Sequence, residues 1–216
     1  MGNNTLLLKG LLVWYVLLSV WTAYMPADPE FWLYSSILPT LLVGSLIATR
    51  RMLPLSVASY VLIALFLTLH SIGAHYTYAQ VPLGSWLDQG LDLGRNHFDR
   101  IVHFSFGFLL AYPIEEAFRF VAHVRGWVVY YLPVITVLGL SALWEIIEAW
   151  ATQALHPELG ITYLGSQGDI WDAQHDMEAA LYGSLLCMML LLGSRFFRKL
   201  SSRPTLPADT TAQHPF

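Results

Sequence analysis

At 216 residues, with 56% hydrophobic and only 12% charged residues, the chain is too apolar for an ordinary soluble domain, in which about a quarter of residues are charged. The composition is that of a membrane protein. The net charge of −4 comes without a basic cluster of the nucleic-acid-binding kind, and the single cysteine, Cys187, lies in an apolar run, which excludes an intramolecular disulfide and argues against a thiol nucleophile.

In chain order, apolar runs near the roughly 20 residues needed to cross a bilayer fall at 6–25, 31–49, 53–73, 101–121, 127–150 and 177–197. The expected fold is therefore all-α, a polytopic helical bundle of about six transmembrane helices. The first run is long for a signal-peptide core, and Pro26-Ala27-Asp28 is a poor cleavage site, so it reads as a retained helix. Lys9, Arg50, Arg51, Arg119, Arg125, Arg195, Arg198, Lys199 and Arg203 all fall on one side of the six-span arrangement. The positive-inside rule makes that side cytoplasmic, with both termini inside. Only Arg95 and Arg100 represent the basic residues on the other side, against most of the acidic ones.

Two long outer connections, 74–100 and 151–175, are rich in Gly, Pro and aromatic residues, and long ordered loops tend to be functional. Val81-Pro82-Leu83-Gly84 and Leu164-Gly165-Ser166-Gln167-Gly168 read as turns that fold back over helix ends. Residues 1–200 form one transmembrane domain, and 201–216, with Pro204, Pro207 and Pro215, read as a disordered cytoplasmic tail.

Polar residues are concentrated at the outer ends of the later spans. At about 100° per residue, Asp169, Asp172 and Asp176 share a narrow helical arc that Ala180 and Gly183 continue. Small residues let a second helix approach closely, so whatever packs there is brought against the aspartates. Asp169 alone also reads as a helix cap, whereas Asp176 lies deeper and needs a partner. On the fourth span Asp99 and His103 lie one turn apart on a face continued by Gly107 and Leu110; on the fifth, Glu145 and Glu148 share a face with Ser141 and Thr152. Three helices thus bring carboxylates and an imidazole to one level.

Each ionised carboxylate near mid-bilayer costs about 2.5 to 3.5 kcal/mol, and two arginines are too few for Asp99, Glu145, Glu148, Asp172 and Asp176. A divalent cation, protonation or a hydrated vestibule can restore the balance. Carboxylates with histidine suit Zn, Mn or Fe, and an all-oxygen set Mg or Ca. The expected cofactor is a divalent metal, Zn, Mn or Mg, held by Asp99, His103, Glu145, Asp172, Asp176 and His70, with Glu145, Glu148 and Asp172 as catalytic groups. His70 and His75, five residues apart, both point inward only if their helix breaks near Gly73. Glu115 and Glu116 are explained by an exposed pairing with Arg119, and Trp127, Trp144, Trp150 and Trp171 are explained as interfacial aromatics.

The segments 70–78 (HSIGAHYTY), 144–148 (WEIIE) and 165–177 (GSQGDIWDAQHDM) are similar to those of the YjdF-like bacterial inner-membrane family, over roughly 51–197. More distantly, Asp99-Arg100-Ile101-Val102-His103-Phe104 with the later acidic residues and Gly183 resembles the VanZ-like group, which is associated with glycopeptide resistance and the cell envelope; that pattern has Gln and Arg where this chain has Glu148 and no matching arginine before Asp169. The resemblance implies a multi-pass protein of the bacterial inner (plasma) membrane, with the bilayer as its surroundings. The functional expectation is a metal-dependent hydrolase or transferase acting on a lipid-linked or cell-envelope substrate. The alternatives are a proton-coupled transporter or permease, against which the lack of repeats argues, and a non-catalytic membrane scaffold.

Overall fold

The computed structural model describes residues 2–155 and 166–201. The expected tail at 201–216 lies outside them from 202 onward, as does the 156–165 part of the second outer connection. Among the described residues there are seven α-helices and no strand: α1 Gly2–Ala23, α2 Pro29–Thr49, α3 Val57–His75, α4 Pro82–Leu91, α5 Phe98–Val121, α6 Val128–Leu155 and α7 Asp172–Ser201, with a 3₁₀ turn at Ser166–Gly168 before α7. Five of them, α1, α2, α3, α6 and α7, are long and apolar enough to cross a membrane. The sixth long helix, α5, has 24 residues but carries Asp99, Arg100, Glu115, Glu116 and Arg119, and it is the helix on which α3, α6 and α7 pack. This is a polytopic helical membrane protein with a long, charge-bearing helix as its axis.

Local chemistry sets the boundaries. Asp28 caps α2 by accepting the N–H groups of Glu30 and Phe31, each at 3.0 Å, with Pro29 in the first turn. Ser56 caps α3 by accepting Ser59 N–H at 3.3 Å. The expected turn at 81–84 is instead the start of α4, because Pro82 occupies the first helical position, where its missing N–H costs nothing. α6 runs five residues past its expected end, to Leu155, and α7 starts at Asp172 rather than 177.

The closest crossing is between α5 and α7. A Cβ at Gly107 would strike the backbone carbonyl of Ala180, and one at Gly183 the carbonyl of Phe104. These are the small residues that continue the acidic arc, so the sequence brings α7 backbone to backbone with α5 and fixes Asp172 and Asp176 opposite the first turns of α5.

The basic residues gather at one end. Lys9 and Arg50 border one cavity with Tyr60 near the start of α3. At the same end Glu116 on α5 accepts from Ser56 N–H at 2.9 Å and from the Ser59 hydroxyl at 2.5 Å, and Arg195 on α7 donates to Glu115 at 2.8 Å. Glu115 is 1% exposed. The expected exposed pairing with Arg119 is thus corrected: Glu115 is buried and bridged to α7 by Arg195 as well as to Arg119 at 3.4 Å. By the positive-inside rule this is the cytoplasmic end.

Candidate functional site

The opposite end of the bundle is assembled by a connection that periodicity does not reveal. Asn96, 5% exposed, donates its side-chain amide to Val81 carbonyl at 2.9 Å and accepts Phe98 N–H at 3.0 Å, starting α5. Its own backbone is clamped by Gln167, whose side-chain amide accepts Asn96 N–H at 2.8 Å and donates to Asn96 carbonyl at 2.9 Å. Gln167 achieves this at φ +56, a left-handed conformation uncommon for a non-glycine residue. The clamp places Arg95 and Asp169 side by side.

Arg95 then binds Asp169 and Asp172, each at 3.0 Å. Arg100 binds Asp169 at 3.0 Å, Asp172 at 2.5 Å, and Asp176. Two arginines thus bridge three aspartates, two positive charges against three negative ones. Asp169 also accepts Trp171 N–H and His175 Nδ1–H, both at 2.9 Å, so it caps the start of α7 and joins the ion network at once. The His175 hydrogen bond first, then that of Trp171, lowers its carboxyl to about 2.

Behind the arginines lies a second group. His103 Nε2 is 3.7 Å from Asp99 on its own helix, 3.7 Å from Glu145 on α6 and 3.9 Å from Asp176 on α7. Asp99, His103 and Asp176 offer ligand atoms that all lie within 4.8 Å of one another. Glu145 Oε1 and Asp176 Oδ1 are buried without a hydrogen-bond partner, and the Asp176 side chain is only 4% exposed. Burying an acceptor without a donor costs about 1–3 kcal/mol. The spacing suits a shared cation better than direct hydrogen bonds, since 3.7–3.9 Å exceeds hydrogen-bond length.

The remaining expected residues lie around this pair of groups. Glu148 is one turn from Glu145 on α6 and borders a cavity with Ser35 and Thr152. Asp172 is taken up by the arginines. His70 is close by but fully engaged: Pro39 has no N–H to offer the Ser35 carbonyl four residues earlier, and His70 Nε2–H donates to that carbonyl at 2.9 Å. Its Nδ1 must then be the acceptor, receiving the Tyr78 hydroxyl at 2.8 Å. α3 does not break at Gly73; Gly73 is where the Tyr78 ring packs. His75 points elsewhere and donates to Thr22 carbonyl on α1 at 2.9 Å.

Two cavities reach this region. One, of about 300 Å³, runs between α2, α3, α5 and α6 and ends on His103 and Ser141. The other, of about 230 Å³, lies between α2 and α6, and the two share Leu38, Trp144 and Ile147. Ser141 is 2% exposed and its hydroxyl has no partner. Trp127, Trp150 and Trp171 are exposed, as interfacial aromatics should be, whereas Trp144 stands edge-on to His70 at 5.6 Å. Asn96, Gln167 and Trp144 were not marked as site residues by the sequence. Only the repeated i, i+3/i+4 face of Ser141, Glu145 and Glu148, adjoining Trp144, carries a signal for the last of them.

These features define a polytopic membrane protein with a buried arginine–carboxylate–histidine cluster at the outer end of its bundle. A family model described as "Predicted membrane protein (DUF2238)" matches residues 7–198. The chain belongs to that family. It is similar to Inner membrane protein YjdF of Escherichia coli (strain K12), with 36% identity over 176 residues, covering 81% of this chain and 84% of that one. The YjdF-like resemblance and a multi-pass inner-membrane location both stand. No solved structure matches the chain.

Proposed function

We propose that the outer cluster binds a divalent cation and that the protein is a metal-dependent hydrolase or transferase acting on a lipid-linked or cell-envelope substrate. The observation that supports it is the set of ligand atoms on Asp99, His103 and Asp176 within 4.8 Å of one another, beside buried, partnerless oxygens on Asp176 and Glu145. One imidazole with several carboxylates fits Zn or Mn better than Mg, which prefers all-oxygen octahedral sites. A bound divalent ion supplies Lewis acidity and a water acidified toward neutral pH. Asp99, His103, Asp176 and Glu145 hold the ion. Asp172, fixed by Arg95 and Arg100, braces the first turn of α7 from which Asp176 projects. Glu148 is the carboxylate left to accept a proton. His70, with both ring nitrogens engaged, acts on the site through α2 and Tyr78 rather than as a ligand.

A proton-coupled path along α5 is less well supported. Between the outer cluster and Glu115 the α5–α7 seam is closed by Gly107 against Ala180 and Gly183 against Phe104, a backbone contact with no room for water.

Thermal unfolding of the purified full chain tests the proposal, in wild type and Glu145→Gln, with a strong chelator and with added Mn, Zn or Mg. The chelator should lower the wild-type melting temperature and Zn or Mn restore it, since a ligand at 100 times its Kd stabilises by about 2.7 kcal/mol. Glu145→Gln should lose most of that response. A wild type indifferent to chelator, with a Glu145→Gln variant that melts higher, would show that the carboxylates are simply protonated and would sink the metal reading.

A further inference from the structure

We infer that the gap between α2 and α6 is a sideways route by which one hydrocarbon chain of a membrane amphiphile enters the bundle, leaving the amphiphile's polar head against His103 and Ser141. The placement of the head rests on the function proposed above; the route of the chain does not.

α2 is tied to the far side of the bundle. Ser35 carbonyl accepts from His70 on α3 at 2.9 Å, the Thr40 hydroxyl meets Tyr15 on α1 at 3.2 Å, and Trp32 donates to Thr22 on α1 at 3.2 Å. Between α2 and α6 lie the two cavities instead, joined at Leu38, Trp144 and Ile147. Both helices are long enough to span the membrane, so what borders the gap is bilayer. Leu38, at 40% exposed, and Leu140, at 44%, stand at the outside of the larger cavity, while Phe66, Val102 and Leu110 line its interior at 9%, 3% and 7%.

The chemistry of the lining decides the occupant. Apolar cavities stay dry, so water is the wrong guest for most of this space, and an alkyl or prenyl chain is the right one. A plain hydrocarbon would nevertheless leave the Ser141 hydroxyl, 2% exposed and partnerless, unsatisfied at the inner end. A chain ending in a polar group satisfies it and is carried by its own length to His103, the residue shared between the cavity and the acidic cluster. About 300 Å³ is at the lower limit for small-ligand sites, which favours one chain over two.

The test uses the full chain in phosphatidylethanolamine–phosphatidylglycerol nanodiscs doped with hexadecanol carrying a mid-chain diazirine, photolysed and mapped by peptide mass spectrometry. Label on Phe66, Val102 or Leu110, residues that lipid around the bundle cannot touch, is expected alongside label on outward residues such as Leu33. Leu38→Trp, or independently Leu140→Trp, should narrow the gap and cut the interior label several-fold with the outward label unchanged. Label confined to outward residues, or interior label indifferent to both substitutions, overturns the inference; if neither variant folds, the wild-type distribution alone decides. The Mn-dependent melting shift, measured on the same samples, keeps the readings apart: interior label with no metal response leaves the route standing and the metal reading fallen, and the reverse leaves the metal site without this route.

Discussion

At the cytoplasmic end of α5, Glu115 is buried to 1% exposure, yet its Oε1 is met by Arg195 at 2.8 Å and Arg119 at 3.4 Å, and neighbouring Glu116 takes two donors from the start of α3. At the outer end of the same helix, Arg95 and Arg100 bind Asp169, Asp172 and one oxygen of Asp176, while Asp176 Oδ1 and Glu145 Oε1 face His103 from beyond hydrogen-bond distance and Arg95 Nε is likewise buried without a hydrogen-bond partner. Both ends use ion pairs to join α5 to α7. The cytoplasmic one is complete, as a fastening should be. The outer one leaves buried oxygens behind it without a donor, and it is on these that the proposed ion site rests.

The comparison breaks most visibly at Arg100. Replacing it, as in Arg100→Met, strands Asp172 and Asp176 without their main partner; removing one side of a buried ion pair costs about 3–5 kcal/mol, and unfolding of the purified variant in detergent should show a loss of that order. A loss under about 1 kcal/mol, the level of an exposed pair, would mean that the outer network does not hold α7 in place. At the cytoplasmic end Glu115→Gln keeps the shape and one acceptor but gives up the charge facing Arg195, which is itself 26% exposed and can turn toward water. A smaller loss follows, about 1.5–3 kcal/mol for a hydrogen bond to a charged group, and it should be the same with and without Mn or chelator. A metal-dependent response to Glu115→Gln would contradict the separation of the two ends.

Much of this division is legible in the sequence because it is written at helical spacing. Asp169, Asp172 and Asp176 continue into Ala180 and Gly183, and Asp99 and His103 into Gly107; those two faces are the ones that meet. What periodicity cannot carry is pairing across irregular chain. Arg95 reaches Asp169 only because Gln167 clamps the backbone of Asn96, 71 residues away, from a left-handed conformation. The engagement of His70 depends on a carbonyl on another helix, freed by Pro39. Counting charges likewise says nothing of how they are shared: a single guanidinium, Arg100, reaches three aspartates. Glu115 reads as exposed from its own helix because the residue that meets it, Arg195 on α7, comes 80 residues later in the chain.

The smallest effect separates the rim of the outer network from its interior. Asp169 is the one carboxylate of that network outside the membrane-spanning helices, and its side chain is still 22% exposed. The His175 imidazole, followed by Trp171 N–H and, more weakly, the arginine, favours its charged form, so its carboxyl titrates at about 2 instead of the usual 3.8. A carboxyl with a depressed folded value contributes stability that is fully present above the unfolded value and is lost as pH falls through the folded one. The difference in melting temperature between wild type and Asp169→Asn should therefore be constant above about pH 5 and shrink as pH falls from about 4 toward 2. His175→Asn removes the largest cause and brings the folded value back toward the unfolded one, so its acid limb should end at higher pH and be shallower than that of wild type, with the corresponding stability already missing at neutral pH. If wild type and His175→Asn lose stability over the same acid range, Asp169 is held by the arginines instead, and the rim is not electrostatically distinct from the cluster it covers.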